Sequence, residues 1–98
     1  MSNLRSRSEL QAQTEENRID FLRTDLALCF TFIDLAKTEI AMDDREAAIS
    51  VCGKEEDGYA TVTRFVPEIN NADDGNEITR KLTELRAVLD VLQQRLHA

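Results

Sequence analysis

Along the last stretch of the chain, Ile78, Leu82, Leu85, Leu89, Leu92 and Leu96 recur at alternating spacings of four and three. That is the a/d pattern of a helix with one narrow apolar stripe, which other helices must cover. An earlier stretch, from Asn17 to Met42, carries the same signal twice. Ile19, Leu22, Leu26, Cys29, Ile33, Ala36 and Ile40 make one stripe, and Phe21, Leu28, Phe32 and Leu35 make a second beside it. A helix packed on one side needs only the first. The spacing therefore predicts a first helix lying against two neighbours, or against one neighbour and another chain.

Between these stretches, Ala48, Val51, Cys52, Tyr59, Val62, Phe65 and Val66 fall at helical spacing and predict a second helix from Asp44 to Val66. Asp43 is placed to cap it, with Glu46 three residues on. Gly53 and Gly58 each weaken its middle by about 1 kcal/mol relative to Ala, and serve either a close helix crossing or a kink. Pro67 disfavours helical geometry at Val66 and closes the segment. Residues 67–75 form a polar loop, after which Asp74 or Asn76 caps the third helix. Residues 1–16 are polar, with Leu4 and Leu10 as the large apolar side chains. They read as an N-terminal arm or as an extension of the first helix, with Ser8-Glu9-Leu10-Gln11 as a candidate capping box.

Three helices of about 25, 22 and 21 residues, roughly 30–37 Å each, with short connections, favour an up-down-up arrangement. The predicted fold is all-α: an antiparallel three-helix bundle, a long helical hairpin plus a C-terminal helix, occupying residues 17–98. A dimeric form is the alternative that the surplus of apolar stripe suggests.

Composition narrows the function classes. The 98 residues carry a net charge of −7, which argues against nonspecific nucleic-acid binding. The acid is concentrated: residues 34–77 hold a local −8, whereas residues 78–98 hold a local +2. No apolar run approaches a membrane span, and the first residues lack a signal-peptide core. With Cys29 and Cys52 inside apolar runs and no Cys-x-x-Cys, reduced buried thiols and a cytoplasmic protein are expected.

Candidate chemistry is sparse. Asn70 to Gly75 has the look of a calcium loop, but Ala72 stands at a ligand position and Lys81 where the bidentate Glu belongs. The carboxylates Glu39, Asp43, Asp44, Glu55, Glu56 and Asp57 lack the Glu-x-x-His motifs of a bundle di-iron site, and Glu55-Glu56-Asp57 reads as a charged surface. His97, the lone imidazole, is terminal and far in sequence from either cysteine. No cofactor, metal or enzymatic activity is expected.

From Phe32 to Ala48-Ile49 the chain resembles the helix corner of a tetratricopeptide (TPR) repeat. Phe32, Leu35, Ala36, Asp44 and Ala48 match the family's order and spacing over about a fifth of the chain. It departs from the pattern at Glu39, Asp43, Cys52, Glu55 and Ala60, and a second copy is absent. The resemblance implies a TPR-like helical hairpin in a protein-binding module. The size and helix order are also similar to the microtubule-interacting and trafficking domain, again a protein-binding module.

The expected function is non-catalytic protein–protein interaction, with a second copy of the chain (a homodimer) or another protein as partner and no nucleic acid or membrane. The candidate interface is Ile78, Leu82, Leu85, Leu89, Leu92 and Leu96. The alternative is a small regulatory bundle that holds a ligand in a pocket near Cys29, Phe32, Cys52 and Tyr59.

Overall fold

Helix α1 (Asn3–Ala41) turns back through a three-residue corner, Met42 to Asp44, into α2 (Arg45–Phe65). A 3-10 turn (Val66–Glu68) and a short loop then lead into α3 (Ala72–Leu96). The computed structural model describes residues 3–97, with side chains from residue 14 onward. Among these residues every regular element is helical, and each α-helix packs against the other two. The molecule is a rod of 64 × 19 × 15 Å, its long dimension set by the 39 residues of α1.

The heptad stripes explain the assembly. On α1, Ile19, Leu22, Leu26, Cys29, Ile33 and Ala36 are buried; on α3, so are all six residues of the opening pattern. Between them α2 contributes Ala48, Cys52 and Val62, with Tyr59 and Val66 partly buried at the same spacing. Each fully buried Leu or Ile stabilises the fold by about 1.5–3 kcal/mol relative to exposure, so these seams dominate the packing.

Ion pairs at the rim fix the register. On α1, Arg23 reaches α3, its Nη2 donating to Glu77 at 2.8 Å and to Asp74 at 2.9 Å. Glu15 accepts from the Asn70 backbone N–H at 3.0 Å, which brings the loop level with that turn of α1. On the α2–α3 side, Arg86 grips both carboxylate oxygens of Glu56 at 2.7 and 2.5 Å, and its guanidinium stacks 5.0 Å from the Tyr59 ring. These bonds place the start of α3 beside the middle of α1, so α1 and α3 run the same way and α2 runs against both.

The helix ends differ from the sequence reading in four places. Helix α1 runs unbroken through Ser8–Gln11, so no helix starts at Ser8; the side chains of that predicted capping box lie outside the described ones. Asp44, not Asp43, caps α2, accepting from the Ala47 N–H at 3.3 Å. Asp43 instead takes the left-handed position that ends α1, with φ 62°. Its N–H donates to Ile40 and the Asp44 N–H to Glu39, the paired bonds of a Schellman ending, where glycine is usual. Two adjacent aspartates divide the work, since both residue types serve either position.

At the far end of α2, Val66 keeps helical angles (φ −55°, ψ −44°) despite preceding Pro67. The chain tightens into a 3-10 turn there, where the missing Pro67 N–H needs no partner. Helix α3 starts earlier than predicted. Asn71, in extended geometry, accepts from the Asp74 N–H at 3.0 Å, so Asp74 and Asn76 are inside the helix. Asp73 and Asp74 then occupy its first turn, favourable at the positive end of the helix dipole.

Candidate functional site

The heptad spacing of α1 supports two faces, and the structure covers only one. Phe21, Leu28, Phe32 and Leu35 stay 61%, 48%, 43% and 44% exposed while the neighbouring stripe is sealed. Taking about 200 Å² for an aromatic side chain, these four leave on the order of 350 Å² of apolar surface in one line, as large as the principal patch of a typical monomer. The line also passes through Asp25, Glu39 and Met42 at the same alternating intervals.

Asp25 and Glu39 face the α2 side. The charges of Asp25 and of Glu55 on α2 both act on the Cys29 thiol, and the Glu39 charge acts on Cys52 of α2. Glu39 has its Oε2 buried without a hydrogen-bond partner. The two basic residues of α1 beyond Phe21 turn the other way: Arg23 is held by α3 acids, and Lys37 lines a shallow groove with Val88, Val91 and Arg95. The outer stripe is therefore apolar, with Thr24, Thr31 and Thr38 on its flank, and its line carries Asp25 and Glu39 as well as Arg18 one turn before Phe21.

The residues predicted as an interface are elsewhere. Ile78, Leu82, Leu85, Leu89, Leu92 and Leu96 are 0–6% exposed, enclosed by α1 and α2 of the same chain. Their period announced that helices cover them, and the chain supplies its own. The surplus that suggested a second partner resides on α1.

The four residues proposed to share a pocket are separated. Cys29 and Cys52 are buried in the α1–α2 seam, whereas Phe32 is in the exposed stripe. Tyr59 faces α3, where it lines an open groove of about 330 Å³ with Thr63, Val66, Pro67, Thr79, Leu82 and Thr83. Burial first, and then a hydrogen bond to Glu55, pushes the Cys29 thiol up to about 12. Burial likewise raises the Cys52 thiol, which keeps both sulfurs protonated and poor nucleophiles. No group of three or more metal-ligating side chains stands together among the described residues. Nor is any described helix long and apolar enough to cross a membrane.

Glu55 was expected at the charged surface with Glu56 and Asp57, but it is 6% exposed. The signal was present: the α2 heptad through Ala48, Cys52, Tyr59 and Val62 passes through position 55. Its carboxylate accepts a hydrogen bond from the Cys29 thiol across the seam, where the helices approach closely. A Cβ on Gly58 would stand 3.0 Å from Cys29 Sγ and 3.9 Å from Glu55 Oε2. Gly58 is thus the crossing point of α1 and α2, while a Cβ on Gly53 would meet nothing within 4 Å.

Comparison with protein-family models, curated proteins and solved structures returned no match to this chain.

Proposed function

We propose that the protein is a non-catalytic protein-interaction module whose contact surface is the outer stripe of α1. One observation carries this reading. Phe21, Leu28, Phe32 and Leu35 remain 43–61% exposed in heptad register on a helix whose other stripe is buried from Ile19 to Ala36. Four large apolar side chains in a line are costly to leave in water, and a second helix laid along them recovers that cost. Partners are this chain itself or another protein.

Photo-cross-linking in the cells that make the protein tests the reading. A benzoylphenylalanine replacing Phe32 is expected to give adducts of discrete mass, lost when Leu28→Glu is added. The same group at exposed Arg80 on α3 is expected to give none. Equal patterns from the two positions, or none from position 32, would contradict the assignment. Sedimentation equilibrium on the purified chain reads whether the partner is a second copy.

A further inference from the structure

The groove between α2 and α3 is built from two pairs of residues, each pair one helical turn apart. Tyr59 and Thr63 on α2 face Thr79 and Thr83 on α3, over a floor that includes Leu82 and Val66. Pro67, in the 3-10 turn, completes the lining, and no charged side chain takes part in it. Its volume of about 330 Å³ is at the small end of the range for sites that hold single small molecules.

The groove's aromatic wall is held in place from outside. The Arg86 guanidinium stacks 5.0 Å from the Tyr59 ring, and Glu56 and Asp90 hold that guanidinium in turn. The hydroxyls are not equivalent. Thr83 donates to the Thr79 carbonyl at 3.0 Å, which uses its proton. The hydroxyls of Tyr59, Thr63 and Thr79 bond no group among the described residues. The lining thus offers an apolar floor, a fixed ring, three hydroxyls open to water or a ligand, and no charge.

We infer that this groove binds a small uncharged molecule, a single ring bearing an amide or hydroxyl group. The ring packs on Tyr59 and Leu82, and its polar group replaces water on Thr63 and Thr79. An ion of the same shape would give up hydration for hydroxyls alone, with no opposite charge in the lining to offset it. The site is separate from the α1 stripe and does not depend on what contacts that stripe.

The test uses three probes of one shape and different charge: benzamide, benzoate and benzamidinium. Each is titrated into the nitrogen-15-labelled full chain, and the amide resonances of Thr63, Thr79 and Leu82 are followed by NMR. Salt at about 0.15 M screens the net −7 of the chain. Benzamide is expected to give saturable shifts at these amides, with a Kd of about 1–10 mM. Each ion is expected to bind at least about three-fold more weakly. Thr63→Val combined with Thr79→Val keeps the groove's volume and removes two hydroxyls. It is expected to weaken benzamide binding about five- to ten-fold. Circular dichroism confirms the fold of the variant, and Thr79→Phe, which fills the groove, is expected to abolish the shifts.

Benzamide shifts that fail to saturate, or that the double valine variant leaves unchanged, would overturn the inference. Binding of either ion as tight as that of benzamide would overturn it as well. Saturable shifts that persist in Thr79→Phe would place the bound molecule elsewhere on the chain.

Discussion

Two glycines on one helix should respond to the same substitution in opposite directions. Gly53 and Gly58 both lie inside α2, where replacing Gly by Ala gains about 1 kcal/mol from helix propensity. At Gly53 the new methyl meets nothing within 4 Å, so the full gain should appear. For a domain this small, that is a rise of roughly 4–8 °C in Tm. At Gly58 the methyl would stand 3.0 Å from Cys29 Sγ, in a seam where Cys29 is 4% exposed. Overfilling a packed core costs about 1–3 kcal/mol, which cancels or exceeds the propensity gain. Gly58→Ala should therefore be neutral to about 2 kcal/mol destabilising. Urea unfolding of both variants reads the difference. A double-mutant cycle with Cys29→Ala reads its cause, because without the sulfur Gly58→Ala should recover about 1 kcal/mol. Gly58→Ala stabilising as much as Gly53→Ala, or showing no coupling to position 29, would refute the close crossing.

Asp43→Gly should stabilise the chain by about 1 kcal/mol, because the left-handed geometry at φ 62° costs an L-residue that glycine does not pay; thermal unfolding measures it. Acid should weaken the α2–α3 contact through Glu56. The Arg86 guanidinium holds this carboxyl below the usual range, against the opposing effect of burial. A carboxyl depressed in the folded state contributes stability above its unfolded pKa, and loses it as pH falls from there through the folded value. Below about pH 4.3 the urea midpoint of the wild type should thus fall more steeply than that of Glu56→Gln, and parallel profiles would remove the Arg86 pair as the cause.

The inner seams were legible because heptad spacing is a direct consequence of helix geometry. Ile19 through Ala36 and Ile78 through Leu96 are buried as the pattern requires. The same period also ran through Glu55, where charge masked it. What covers a stripe is a different question, and periodicity is silent on it. The seam of α3 is enclosed by this chain, whereas Phe21, Leu28, Phe32 and Leu35 are not. Cap positions slipped by one residue at Asp43-Asp44 and by three or five at Asn71, where Asp74 or Asn76 was expected, since neighbouring Asp and Asn residues have equal capping capacity. The roles of the glycines depended on which atoms stand across the seam, a tertiary fact that α2 alone does not encode.

The division between a sealed α3 seam and an open α1 stripe is tested most directly by urea unfolding of Leu89→Glu beside Leu28→Glu. Leu89 is 0% exposed and Leu28 48%. An unpaired carboxylate at position 89 should cost more than about 4 kcal/mol, enough to unfold a marginally stable domain. The same substitution at position 28 should cost less than about 1 kcal/mol and leave the helix content unchanged. Equal losses at the two positions, or a folded Leu89→Glu chain beside an unfolded Leu28→Glu chain, would contradict the account.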